Sequence, residues 1–188
     1  MEIKSAVFIK SSPTTNGVFE DALPHVAFIG RSNVGKSSTI NALTKIKGLA
    51  KTSSAPGATK QINMFLVNNK FYIVDLPGYG FVKGSVAKRD VLHNLIEEYL
   101  SFVFEEQKIV LIIDAKVGPT KDDLDILSSL ERLGKNIVIA VNKIDKLKNS
   151  EIKTQKQKIS SQVGPHKIVF YSAEKSDSVK ELWAKISE

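Results

Sequence analysis

Eight consecutive residues, Gly30-Arg31-Ser32-Asn33-Val34-Gly35-Lys36-Ser37, limit this chain more than any other segment. They fit the spacing G-x-x-x-x-G-K-[ST], which places a lysine and a hydroxyl at the end of a glycine-bounded loop. The motif cradles phosphate only between a buried strand and a helix, because the helix N-terminus aims backbone N–H groups at the anion. Both neighbours are present. Residues 26–29 form a short apolar run of strand length, and residues 36–45 read as a helix carrying Ile40 and Leu43. Lys36 is therefore expected to reach the β- and γ-phosphates of a nucleotide, and Ser37 to ligate Mg²⁺.

The rest of the chain has the alternation such a loop requires. Residues 62–67 and 71–75 flank Asn68-Asn69-Lys70, a hairpin signal because Asn tolerates positive φ. The continuous aliphatic runs 109–113 and 137–141 fit central parallel strands covered on both faces, and 167–171 reads as the last strand. Between them lie helical patterns. One runs over 86–105, with a stripe of Val91, Leu92, Leu95, Ile96, Tyr99, Leu100, Val103 and Phe104. A second opens on a Thr120/Asp123 capping box and closes at Gly134. A third spans 150–163, and the last is expected to start on a Ser178/Glu181 capping box. Strand and helix alternating over one domain's length make an α/β fold with a mostly parallel sheet. We expect residues 1–24 to be an extension with a candidate edge strand at 6–9, and 25–188 to be the nucleotide-binding domain. The loop 46–60 lacks an apolar period, and long loops in compact domains tend to be functional.

Three further motifs follow in order. Asp75-Leu76-Pro77-Gly78 is a D-x-x-G at a strand end, where Asp75 can stand behind Mg²⁺ and the Gly78 amide can sense a γ-phosphate. Asn142-Lys143-Ile144-Asp145 has the form N-K-x-D after a buried strand. The Asp145 carboxylate can accept from N1–H and the 2-amino group of guanine, donors that adenine lacks on that edge, so the acid selects GTP over ATP. The Lys143 stem can lie over the base. After the last strand, Tyr171-Ser172-Ala173 offers a backbone N–H for the guanine O6. Together these motifs resemble four of the five elements of a translation-factor-class GTPase, and that resemblance implies a fifth, a threonine in the loop before the hairpin. Thr59, within Gly57-Ala58-Thr59-Lys60-Gln61, lies nearest the strand, with Thr52, Ser53 and Ser54 as rivals. It is expected to bind Mg²⁺ when GTP is present. The position after Gly78, where Ras-like enzymes place a water-orienting glutamine, holds Tyr79, so we expect slow hydrolysis. Asn33 is a candidate K⁺ ligand beside the phosphates.

The absence of cysteine excludes disulfide scaffolds, thiolate metal sites and thiol catalysis. No apolar run approaches the ~20 residues that span a bilayer. A cytoplasmic protein without a membrane partner, acting as a monomer, is expected. Net charge is +7, and +5 of it falls between residues 142 and 167, where seven lysines face two acids. Such a patch attracts polyanions, or else is a solvated helix face. With three arginines in the whole chain, a nucleic acid would be held through its phosphates.

The phosphate loop with its flanks, Phe28 to Ser38, together with Pro56-Gly57-Ala58-Thr59 and Asp75-Leu76-Pro77-Gly78-Tyr79-Gly80, resembles the signature of the bacterial EngB/YsxC-type ribosome-biogenesis GTPases of the translation-factor class. Ala58 and Lys60 depart from it, standing where that pattern has arginine and glutamine. The resemblance implies a six-stranded, mostly parallel sheet with one antiparallel edge strand and helices on both faces. It further implies GTP and GDP binding, slow hydrolysis, assembly of the large ribosomal subunit with rRNA as partner, and a link to cell division and septation.

Overall fold

A computed structural model describes residues 2–16, 23–52, 61–80, 86–102 and 106–188, without the side chains of 86–90 and 176. The strands are β1 (Ala6–Ser12), β2 (His25–Gly30), β3 (Ile62–Val67), β4 (Phe71–Asp75), β5 (Gln107–Asp114), β6 (Asn136–Asn142) and β7 (Lys167–Phe170). The helices are α1 (Lys36–Thr44), α2 (Val86–Ser101), α3 (Lys121–Arg132), α4 (Asn149–Val163) and α5 (Ser176–Ser187), with a 3₁₀ turn at Ile144–Lys146. The strands form one sheet in the order β1-β3-β4-β2-β5-β6-β7.

The candidate edge strand is real and extends to Ser12, so the sheet has seven strands where six were expected. β3 is the strand that runs against the rest, pairing antiparallel with both β1 and β4. It is not at the edge, because β1 covers it. The Asn68-Asn69 turn has both residues at φ 53°, and Lys70 N–H donates to Val67 O at 2.9 Å.

Period-two alternation in the central strands divides the core in two. Ile109, Leu111 and Ile113 of β5 point to one face with Leu95, Ile96, Tyr99, Ile126, Leu130 and Ile159 of α2, α3 and α4. Val110 and Ile112 point to the other with Ile40 and Leu43 of α1 and Leu182 and Ile186 of α5. Each such fully buried aliphatic side chain contributes roughly 1.5–3 kcal/mol. The stripe read on α2 is narrower than expected. Leu92, Leu95, Ile96, Tyr99 and Leu100 are buried but Val91 is exposed, and Val103 and Phe104 lie outside the described residues. The Thr120/Asp123 capping box opens α3 as expected. The helix α5 begins two residues earlier than Ser178, which sits inside the first turn and donates back to Lys175 O and Ser172 O. The parallel strands β2, β4, β5, β6 and β7 all end on one rim, where ligands bind in sheets of this type.

Candidate nucleotide site

The loop after β2 turns into α1 through two residues of left-handed backbone, Asn33 at φ 65° and Gly35 at φ 101°. Gly35 is required twice over. Its φ suits glycine, and a Cβ there would stand 2.4 Å from Asn142 Nδ2. Lys36 is buried and its Nζ donates to Gly30 O at 3.1 Å and Arg31 O at 3.4 Å. Burial lowers its pKa, opposed by the neighbouring Asp75 carboxylate. Ser37 Oγ donates to Asp75 Oδ2 at 3.0 Å. Ser38 is half-buried in the first turn of α1.

Asp75 ends β4 with its other carboxylate oxygen, Oδ1, buried and without a hydrogen-bond partner. Burial raises its pKa, opposed by Lys36 and the Ser37 hydrogen bond. A serine hydroxyl beside an unsatisfied carboxylate oxygen is a hard-oxygen donor pair, and Mg²⁺ is held by few such protein ligands together with water and phosphate. The site therefore fits Mg²⁺. Among the described residues no cluster of three or more His, Cys, Asp or Glu side chains could hold a metal on its own. Leu76 lies in the core and its N–H donates to Phe28 O at 3.1 Å. Pro77 is buried too. Gly78 packs on the loop so closely that a Cβ would meet Lys36 Nζ and Ser32 N at 3.0 Å each.

At the other end of the groove Asn142 joins three of the predicted motifs. Its Nδ2 donates to Val34 O at 2.9 Å, and its Oδ1 accepts from Lys143 N at 2.8 Å and Ala173 N at 3.0 Å. The Ala173 amide, one of the backbone N–H groups offered for guanine O6, thus donates to Asn142. Lys143, left-handed at φ 66°, donates through Nζ to Asn33 O at 2.7 Å and to Asp114 Oδ2 at 2.8 Å. Its stem thereby spans from the end of β6 to the phosphate loop. Ile144 N–H donates to Tyr171 O. Asp145 is partly exposed, and a hydrogen bond from Ser172 is the main cause of its lowered pKa, with Lys146 also contributing. The Tyr171 ring is buried beneath α1, its hydroxyl 2.7 Å from Thr39 Oγ1.

The structure thus brings together residues 30–38, 75–78, 142–145 and 171–173. It does not bring Gln61 to them. That side chain accepts from Ser11 Oγ of β1 at 2.8 Å, on the side of β3 away from the phosphate loop. Gly57, Ala58, Thr59 and Lys60 lie outside the described residues. Sequence reasoning missed Asp114, which receives Lys143 and the Lys116 N–H at 2.9 Å. A carboxylate at the end of a buried strand was the available signal. It also assigned Asp123 to capping alone, although this side chain accepts Arg31 Nε at 3.0 Å and Tyr79 OH at 2.7 Å.

A mostly parallel sheet with a phosphate loop, a D-x-x-G glycine against its lysine and an N-K-x-D motif tied to that loop defines a P-loop GTPase. The profile of a family described as "50S ribosome-binding GTPase" matches residues 25–143. A relative described as "Probable GTP-binding protein EngB", from Clostridium botulinum strain Eklund 17B, is 42% identical over 99% of this chain and 96% of its own length. One of the same description from Acholeplasma laidlawii is 39% identical over 97% of this chain and 96% of its own length. The chain belongs to the EngB family of GTP-binding proteins. A crystal structure of a probable GTP-binding protein EngB superposes with a TM-score of 0.69 at 27% identity, covering 87% of this chain and 96% of that one. Era of Aquifex aeolicus bound to GDP and AlF4⁻ also reaches 0.69 at 26% identity, covering 88% of this chain and 56% of that one. Among the described residues no helix is long and apolar enough to cross a membrane.

Proposed function

We propose that this chain binds GTP and GDP with Mg²⁺, hydrolyses GTP slowly, and acts in the cytoplasm as a monomeric switch in assembly of the large ribosomal subunit, with an associated role in cell division and septation. The observation that carries the nucleotide part is Asn142, whose one amide group connects the phosphate loop, the guanine motif and the Ala173 turn. Ser37, with Thr59 in the GTP state, would hold Mg²⁺, and Asp75 would orient it. Bound there, the metal would supply charge neutralisation to the phosphates. Lys36 gives up its bonds to Gly30 O and Arg31 O to reach those phosphates, and the Gly78 amide contacts the third. Asp145 accepts from the guanine edge.

Slow turnover is supported by Tyr79, a phenol at the position where a water-orienting amide would stand, with its hydroxyl donating to Asp123 in this structure. Asn33 is our candidate ligand for an activating K⁺. The same Tyr79 geometry favours a second reading, a nucleotide-gated binding module with negligible turnover. Single-turnover hydrolysis in K⁺ and in Na⁺, with and without large ribosomal subunits, separates the two.

The ribosomal reading draws on the family and on charge. Lys148, Lys153, Lys156 and Lys158 are exposed on or beside α4. The matching family is described as a 50S ribosome-binding GTPase, which supports the large subunit. The solved relative Era, with a TM-score of 0.65 at 25% identity over 88% of this chain and 56% of that one, was captured with nucleotides 1506–1542 of 16S ribosomal RNA, a small-subunit RNA, and supports only contact with ribosomal RNA. Co-sedimentation with ribosomal subunits in GDP, in GTP analogue and without nucleotide tests it. Pelleting with large subunits only in the GTP analogue is expected. Failure to pellet in every nucleotide state overturns it.

A further inference from the structure

Asp123 stands in the first turn of α3 with its side chain fully buried. A buried carboxylate is costly unless every oxygen is satisfied, and this one has four donors. Oδ1 accepts from Tyr79 OH at 2.7 Å. Oδ2 accepts from Arg31 Nε at 3.0 Å, and from Thr120 N and Oγ1 at 2.8 Å each. Arg31 belongs to the phosphate loop and Tyr79 directly follows Gly78, so one carboxylate ties the two segments to each other and to α3. Backbone contacts run the same way. Ser32 N–H donates to Tyr79 O at 3.0 Å, and Arg31 and Tyr79 form a parallel bridge.

The result is that Gly78 lies down on the phosphate loop against Lys36, whose Nζ is turned to the loop's own carbonyls. A γ-phosphoryl group inserted between Lys36 Nζ and the Gly78 amide must part them. GDP, which ends at the β-phosphate, need not. A ligand shifts an equilibrium only by its difference in affinity for the two arrangements, and this contact is such a difference.

We propose that Asp123 is a positioning residue that holds Tyr79 and the Gly78 peptide down on Arg31 and the phosphate loop, and thereby weights the pocket toward the diphosphate. The proposal rests on the reading of Gly78 as the contact to the third phosphate.

The test measures binding of fluorescent GDP and a non-hydrolysable GTP analogue to the full chain in Mg²⁺. Asp123→Asn keeps the shape but weakens the hold on Arg31 and Tyr79. It should raise the analogue-to-GDP affinity ratio about tenfold, the scale of one charge-assisted hydrogen bond. Tyr79→Phe removes one hydroxyl, keeps the buried ring, and should raise the ratio less, with GDP affinity held to within about twofold. It serves where Asp123→Asn does not fold. Equal loss of both nucleotides would mean a merely structural carboxylate and overturns the proposal, as does an unchanged ratio or one that moves toward GDP. Gly78→Ala separates the two layers. If it leaves the ratio unchanged, the contact to the third phosphate is wrong and the latch falls with it. If it alone moves the ratio, the contact stands and Asp123 has no part in it.

Discussion

At the guanine end of the groove, Asn142 holds Val34, Lys143 and Ala173, and Lys143 is anchored on Asn33 and Asp114. At the phosphate end, Lys36 is bonded to its own loop, Asp75 keeps one buried oxygen unpaired, and Gly78 closes over both. In the first arrangement Lys143 is already anchored, and the Asp145 carboxylate is held by Ser172 and Lys146. The second must exchange hydrogen bonds before phosphates fit. On the proposed reading, base choice belongs to the guanine end and sensitivity to the third phosphate to a rearrangement at the other, which is where a switch needs it.

The largest expected effect breaks the phosphate end. Lys36→Ala removes the cation that faces the developing charge and should lower single-turnover GTP hydrolysis at least about 100-fold. Retained hydrolysis would mean that the lysine stays on its own loop. Next comes the guanine end. Asp145→Asn exchanges an acceptor for a donor and should lower GTP affinity about 100-fold, the worth of two hydrogen bonds to a charged group. Xanthosine triphosphate should gain in turn, and competition titrations report both. Equal wild-type affinity for ATP and GTP would remove the guanine motif from the comparison.

Metal dependence sharpens the contrast within the phosphate end. Ser37→Ala should weaken Mg²⁺-dependent binding of GDP and GTP alike, by at least roughly tenfold, whereas Thr59→Ala should spare GDP. Equal loss of GDP affinity in both variants would displace Thr59 as the state-dependent ligand. A smaller effect concerns pH. The folded pKa of Asp145 lies below its ordinary value, chiefly through Ser172. Its contribution to stability is thus present above the ordinary carboxylate range and lost as pH falls through the lowered folded value. Ser172→Ala should narrow that acid-side loss and raise the Asp145 pKa followed by NMR. The smallest effect on nucleotide affinity is expected from replacing Lys148, Lys153, Lys156 and Lys158 with glutamine. GTP should bind as before, while affinity for large subunits falls. The logarithmic salt slope of that affinity should flatten by about 0.7–0.9 for each phosphate no longer neutralised. Unchanged pelleting at every salt concentration would make the patch a solvated face.

Much of this was legible in the sequence because the nucleotide motifs are contiguous and chain-local. Gly30 to Ser37 announces itself by spacing, and the runs 109–113 and 137–141 announce central strands by lacking polar positions. What escaped is set by partners far along the chain. Asp123 reads as a capping residue because its neighbour Thr120 is local, while Arg31 and Tyr79 are separated from it by 92 and 44 positions. Asp114 looks like the last polar residue of a strand until β6 delivers Lys143 beside it. Ser178 offered a plausible cap, yet its hydroxyl bonds back to Ser172 and Lys175, and the helix starts earlier. Val91 fits the helical period but faces away from the core, since a period gives a face and only packing gives its width.

The close approach of Gly35 to the Asn142 amide carries a consequence for how such a chain can change over generations. A side chain at position 35 would collide with the very group that fastens the base-reading motif. In a library varying both positions, substitutions at Gly35 and Asn142 should show partial epistasis, since loss of the Asn142 amide removes the collision but leaves the left-handed backbone strain at position 35. The two ends of the groove, distinct in chemistry, form a single heritable unit at this point.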